Sequence, residues 1–378
     1  MPLKKASVWE DITVEDVVSN AFVEGLTLAA VFAFGAMVGS FVNVVLYRAP
    51  RRMNLFWPPS RCPHCGKRLK LFHNVPVLGW LSLRGKCKFC KAPIPKSYLR
   101  VEYGFGLLFL AVMYTIIHTG GWTLPLRTQE TYFAALWTIW YPRPDILRIW
   151  GYFTLLAAAL ATLRLFVVRD ERLPGHFVSV ALLAGVLLPV WLPGVQQVPL
   201  AGGPATLWHS AGWVEAVVGL ATGGLLGGVF SLSRPPRVPT GDSRPWLPLP
   251  VRLDLPVAFA LTGTWLGWQS VVSVGVLAAI SGVLLRRVSG VTLAAGAAAA
   301  HFLTWRLQAD FAPWWPGPET VWWLYPVWAA VIVGGVLARR RLTPAIATPE
   351  PPPSEASPEA AAQIPERATP AADSPARS

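Results

Sequence analysis

Residues 23–46 read VEGLTLAAVFAFGAMVGSFVNVVL, a nearly unbroken apolar run of 24 residues. About 20 apolar residues carry a helix across bilayer hydrocarbon, so this run predicts a transmembrane helix. Similar runs recur at Tyr103–His118, Trp150–Val168, Phe177–Leu192, Val214–Leu232, Leu255–Leu266, Gln269–Leu285, Val291–Trp305 and Val321–Ala338. The composition agrees: 53% of residues are hydrophobic, 14% are charged and the mean hydropathy is +0.44. The expected fold is therefore an all-α polytopic membrane protein of about nine transmembrane helices. Several runs are short, and Leu255–Leu285 is the one whose division into two helices is least evident. The first run starts late, behind an acidic leader with Glu10, Asp11, Glu15 and Asp16. That is not the basic head of a cleavable signal, so the run reads as a true span.

Lysine and arginine set the orientation. The stretch from Arg48 to Arg100 holds Arg51, Arg52, Arg61, Lys67, Arg68 and Lys70 among its basic residues, and no Asp or Glu. This places it in the cytoplasm and the N-terminus outside. Counting spans then puts Arg169/Arg172, Arg234/Arg237/Arg252, Arg286/Arg287 and Arg339–Arg341 on the cytoplasmic side as well. Trp122, Trp137 and Trp140 fall on the outer side, where indole rings favour the interface. The net charge of +13 is on this reading mostly topological, and no nucleic-acid partner is expected; membrane lipid is. Arg234–Leu253 reads as a Pro-broken loop. The Pro-, Ala- and Glu-rich tail from Thr343 to Ser378 reads as disordered. The chain thus divides into a non-cytoplasmic leader (1–22), an N-terminal domain (23–118) with loop 48–100, a Trp-rich outer loop (119–149), a second membrane domain (150–342) and the tail (343–378).

The four cysteines of the chain all lie in the basic loop, as Cys62–Cys65 and Cys87–Cys90, with 21 residues between the pairs. Thiolates two residues apart can grip one tetrahedral ion from a tight turn, and two such turns complete an S4 site. The spacing is just beyond the usual zinc-ribbon range. Disulfides and idle thiols are the rivals. A cytoplasmic loop disfavours disulfides, and the expectation is a zinc-ribbon-like loop holding structural zinc.

The loop and the helix before it resemble a known family. Residues Gly39-Ser40-Phe41-Val42-Asn43-Val44-Val45-Leu46-Tyr47-Arg48 open the likeness. Arg61-Cys62-Pro63-His64-Cys65-Gly66 and Asn74-Val75-Pro76-Val77-Leu78-Gly79-Trp80-Leu81 continue it. Leu83-Arg84-Gly85-Lys86-Cys87-Lys88-Phe89-Cys90, Ala92-Pro93-Ile94-Pro95 and Val101-Glu102 complete it. Over about residues 35–105 the chain is similar to the N-terminal domain of the type IV prepilin peptidase (leader peptidase) family. The resemblance implies an inner-membrane aspartic endopeptidase. Such an enzyme cleaves the basic leaders of prepilins and pseudopilins at the cytoplasmic face, and many members also N-methylate the product with S-adenosylmethionine.

The family's catalytic half carries two aspartates at cytoplasmic helix ends. Here Leu173-Pro174-Gly175 resembles the turn that follows the first, with Gly where Asp or Asn is usual. Val167 stands at the position expected for that aspartate, and Asp170 is the nearest acid. Gly263-Thr264-Trp265-Leu266-Gly267-Trp268 resembles the stretch after the second. No Gly-x-Gly-Asp precedes it, but Asp254 lies one residue out of register. The resemblance thus implies Asp170 and Asp254 as the catalytic pair, with Asp242 as an alternative second acid. The other reading of Arg169–Arg172 is a solvated turn with local ion pairs. If the pair is absent, the chain is a silent relative: a scaffold that binds pilin-like leaders through its basic loop region. A methyltransferase without peptidase activity is a third reading.

Six further residues have physical readings. Gly35 and Gly39 form a small-residue face for close helix packing. Ser40 and Asn43, polar at membrane depth, are expected to face protein. Glu102 complements a helix N-terminus or serves methyl transfer. His301, alone in an apolar run, is expected to be packed or hydrogen-bonded rather than a ligand.

Overall fold

The computed structural model describes residues 14–57, 59–62, 64–125, 143–169, 171, 173–192, 194–197, 208–233, 253–310, 314–316 and 320–342. Among the described residues the regular structure is helical, apart from two isolated bridges, Arg61↔Arg68 and Lys86↔Pro93. The helices are α1 (Val14–Arg48), α2 (Leu78–Ser82), α3 (Lys96–Met113), α4 (Pro144–Val168), α5 (Gly175–Trp191), α6 (Trp208–Ser231), α7 (Asp254–Leu266), α8 (Trp268–Leu284), α9 (Gly290–Asp310) and α10 (Tyr325–Leu342). Every expected apolar run is helical, and the protein is a polytopic α-helical membrane protein. Five spans are long and apolar enough to cross a bilayer: Asn20–Arg48, Lys96–His118, Pro144–Val168, Gly212–Ser231 and Trp322–Leu342.

The first helix starts at Val14, inside the stretch expected to be a separate leader. Residues 126–142 of the Trp-rich loop, most of the Pro-broken loop and the tail lie outside the described residues, and residues 144–149, expected in the outer loop, open α4.

Glycine decides how the helices meet. A Cβ on Gly35 would lie 2.6 Å from the Phe105 carbonyl, and one on Gly39 would lie 2.9 Å from Glu102 Cα. The α1–α3 contact is therefore backbone against backbone, as the small-residue spacing predicts. A second stripe, Gly219, Gly223 and Gly227, seats α6 on α7. Added Cβ atoms there would reach Gly263, Ala260 Cα at 3.0 Å and the Leu255 carbonyl at 2.6 Å. These pairs run in opposite chain directions, so α6 and α7 are antiparallel.

Helix α7 has 13 residues, about 20 Å of length and short of the ~30 Å hydrocarbon. All of them except Pro256 are buried, so α7 is wrapped by protein. It ends at Gly267 (φ 90°), the single residue between α7 and α8. Gly267 lies against Gly219, and Gly275 in α8 lies near Leu226 in α6. Helix α8 therefore runs back alongside α6, and the run Leu255–Leu285 is a helical hairpin.

Candidate functional site

The two cysteine turns are built alike. In the first, Gly66 N–H donates to the Cys62 carbonyl (2.9 Å) and Cys62 N–H to the Lys67 carbonyl (3.0 Å). In the second, Lys91 N–H donates to the Cys87 carbonyl (3.0 Å) and Cys87 N–H to the Ala92 carbonyl (2.8 Å). The bridges Arg61↔Arg68 and Lys86↔Pro93 close the two turns at matching positions. The fourth residue after each leading cysteine is left-handed: Gly66 at φ 67° and Lys91 at φ 60°.

These turns bring the four sulfurs together. All lie within 4.8 Å of one another, and Cys62 and Cys90 Sγ are 3.7 Å apart. The cysteines are free thiols, and 3.7 Å is far from the ~2.0 Å of a disulfide. A tetrahedral ion with ~2.3 Å bonds to sulfur puts its ligands about 3.8 Å apart, so the cluster fits such an ion. Backbone hydrogen bonds from Cys90 and Phe89 hold the Cys87 thiol down to about 6. A hydrogen bond from Ala92 favours the Cys90 thiolate, but burial and the neighbouring thiols outweigh it and push Cys90 up to about 11. Thiols this close share their protons, and a cation lets all four ionise together.

The loop is tied down through Glu102. This residue is buried at the second turn of α3, and its Oε2 accepts the Val77 N–H at 2.8 Å. Val77 sits at φ 63°, a conformation that a β-branched residue adopts only when its surroundings impose it. Glu102 therefore reaches beyond its own helix, which the sequence reading did not anticipate. Asn43 is buried, as a polar residue at membrane depth must be. It donates to the Tyr98 carbonyl at 3.2 Å and accepts from Arg169 Nη2 at 3.5 Å.

The expected carboxylates fare differently. Asp170 and Asp242 lie outside the described residues. The residues flanking Asp170 are described: Arg169 reaches Asn43, and Glu171 pairs with Arg51 at 3.4 Å. The contacts of this turn thus include a partner 120 residues away in sequence, not local pairs alone. Asp254 is buried and is the first residue of α7, with Oδ1 accepting the Leu255 N–H at 2.8 Å. The end of α7 at Trp265 meets Tyr152 near the start of α4, and α4 ends where Arg169 reaches Asn43 near the end of α1, so Asp254 at the start of α7 lies at the cysteine-loop end of the bundle. The Arg169–Glu171 turn lies at the same end.

The stretch Gly263–Trp268 is a packing hub. Trp265 Nε1 donates to the Ala181 carbonyl at 3.0 Å, and Tyr152 Oη donates to the Trp265 carbonyl at 2.9 Å. His301 is hydrogen-bonded as expected: Nδ1 lies 2.7 Å from Gln308 Oε1 and 3.1 Å from Ser273 Oγ. Sequence reasoning missed Glu215, which is 3% exposed in α6. Neither of its carboxylate oxygens has a hydrogen-bond partner among the described residues. Its signal was an acid inside an apolar run, which is by itself a reason to look.

Residues 33–116 match the family described as the bacterial peptidase A24 N-terminal domain. This segment belongs to that family. The A24 N-terminal domain covers α1 from its middle, the cysteine loop and α3, slightly more than the resemblance marked in the sequence. A protein of Myxococcus xanthus named prepilin leader peptidase/N-methyltransferase is 46% identical over 101 residues, 26% of this chain and 29% of its own length. One of Stutzerimonas stutzeri is 42% identical over 97 residues, 20% of this chain and 34% of its own length. The chain thus spans about a third of these relatives. A Burkholderia pseudomallei protein of the same name is 26% identical over 313 residues, 76% of this chain and 80% of its own length. The likeness to the prepilin peptidase family therefore reaches beyond the A24 N-terminal domain into the second half, at lower identity. No solved structure matches.

Proposed function

We propose that this chain is a prepilin-peptidase-like aspartic endopeptidase of the bacterial inner membrane. It cleaves the leaders of prepilins or pseudopilins at the cytoplasmic face and carries structural zinc on Cys62, Cys65, Cys87 and Cys90. The observation that carries the catalytic reading is the position of Asp254, a buried carboxylate at the end of the bundle where the Arg169–Glu171 turn also lies. Two carboxylates that share a proton divide the work: one takes a proton from water, and the other gives one to the scissile amide. Asp254 and Asp170 are assigned these roles. Zinc, when bound, contributes folding energy rather than chemistry.

The methyltransferase part of the relatives' name does not extend to Glu102. That carboxylate is buried and already accepts the Val77 N–H, so it does not fit a methyl donor, and no step is assigned to S-adenosylmethionine. The silent-scaffold reading draws on Val167 and Gly175, which replace residues of the family pattern. Its proposed contact is weak, however, because a basic leader is repelled by a loop without a single acid.

The test is leader removal from a co-expressed prepilin. Asp170→Asn and Asp254→Asn should each abolish it, and the double variant should be no worse, because a dyad acts as one unit. Asp242→Asn should cleave like wild type. Failure of Asp242→Asn alone would reassign the second acid. A wild type that processes no pilin-like substrate would leave the scaffold reading.

A further inference from the structure

The segment just after α1 turns back toward the membrane. Arg48 Nη1 donates to the carbonyls of Asn54 (3.0 Å) and Leu55 (3.2 Å). Asn54 Oδ1 then accepts the N–H groups of Phe56 (2.8 Å) and Trp57 (3.0 Å). Residues Asn54–Trp57 thereby form a fixed turn, with Leu55 packed on the small core between α1, α3 and α4. The two aromatic rings point outward: Phe56 is 82% exposed and Trp57 68%. Exposure on this scale is unexpected for rings meant to face water.

Depth gives the reason. The Phe56 ring stacks on Phe41 with centroids 6.1 Å apart. Phe41 lies inside the apolar span Asn20–Arg48, seven residues before its end and thus about 10 Å along the axis. A ring stacked on Phe41 therefore lies alongside the last turns of the span, at the level of the membrane interface. The chain leaving the turn is basic. The Ser60 carbonyl accepts the Leu69 N–H at 3.0 Å, and Arg61 bridges Arg68. Arg61, Arg68 and Lys70, all exposed, are held close to it. No acid occurs between Arg48 and Val101.

We propose that Met53–Trp57 is a membrane-inserted wedge that seats the cysteine loop on an anionic lipid leaflet. Phe56 and Trp57 enter the interface, where aromatic rings are favoured. Arg61, Arg68 and Lys70 meet lipid phosphates, the usual partner of a polybasic segment beside a span. The proposal depends on the membrane reading and is independent of peptidase activity.

Hydrogen exchange on the full chain tests it, in nanodiscs of phosphatidylcholine alone and with one third phosphatidylglycerol. Amides 53–70 should exchange at least tenfold more slowly with the anionic lipid, and added salt should reverse the difference. Arg61→Gln/Arg68→Gln/Lys70→Gln should abolish the lipid dependence. Phe56→Ser/Trp57→Ser should lose the protection while still holding one zinc per chain. If the double variant loses zinc, photo-crosslinking from position 57 of an otherwise wild-type chain replaces it, and lipid adducts are expected. Equal exchange in the two discs would overturn the proposal. So would protection that appears only when a soluble polyanion, RNA or an acidic peptide, is added to phosphatidylcholine discs.

Discussion

Lys91 holds a backbone conformation that the companion turn assigns to glycine. Both residues are left-handed, at φ 60° and 67°, and the cost to a non-glycine residue is about 1–2 kcal/mol. Lys91→Gly should therefore tighten the loop, and Gly66→Ala should loosen it by about 1 kcal/mol. Metal analysis should find about one zinc per chain, lost in Cys87→Ser. A chelator titration should need more chelator for Lys91→Gly than for wild type and less for Gly66→Ala. The opposite order would mean that the two turns are not equivalent. Glu215 makes a second case. A buried carboxyl without a partner costs about 1–3 kcal/mol, and Glu215 has none among the described residues, so Glu215→Leu should raise the thermal midpoint in detergent. A midpoint that falls instead would reveal a partner for this carboxyl.

Among the helices, glycine stripes set the stability of the contacts. A methyl group on Gly223 meets the backbone of Phe259 and Ala260, and backbone cannot step aside as a side chain can. Gly223→Ala should cost about 1–3 kcal/mol, whereas Gly224→Ala on the open face of α6, with nothing within 4 Å, should be neutral. Comparing the two variants by thermal unfolding checks the claim. The same contrast explains what the sequence made legible. Apolar run length marked all of the expected helices, and the spacing of Gly35 and Gly39 marked the α1–α3 contact. Gly219, Gly223 and Gly227 have that same spacing, but a stripe does not name its partner, and α7 has only Gly263 to answer it, with Gly267 just beyond its end. The likeness of the two cysteine turns was hidden for another reason. Their side chains differ, and only the backbone hydrogen bonds repeat. The cysteine site was readable because its ligands are close in sequence. The proposed aspartate pair was not, because Asp170 and Asp254 are far apart in sequence and lie outside the family's register.

At the scale of the molecule, the orientation of the loop and the tail depends on whether the number of crossings is odd. The short run Leu255–Leu285 was the weak point, because one helix in place of two would flip everything after it. Its hairpin form removes that risk. Helix α7 runs against α6, and α8 returns beside it from Gly267. The pair therefore contributes two crossings if it spans and none if it only dips in, and both are even. If α5 and α9 cross along with the five long apolar spans of α1, α3, α4, α6 and α10, the count stays odd. Basic residues at the end of α10, Arg339, Arg340 and Arg341, are then expected to share a side with the loop from Arg48 to Arg100, in keeping with the distribution of positive charge. Reporter fusions within that loop and after Ala345 should give the same compartment signal, the cytoplasmic one. Opposite signals would place the error elsewhere. The first suspect would be α5, which has 17 residues and Pro189 inside it and is the shortest of the remaining helices. In that case Asp254 would begin its helix on the wrong side of the membrane for a substrate presented at the cytoplasmic face.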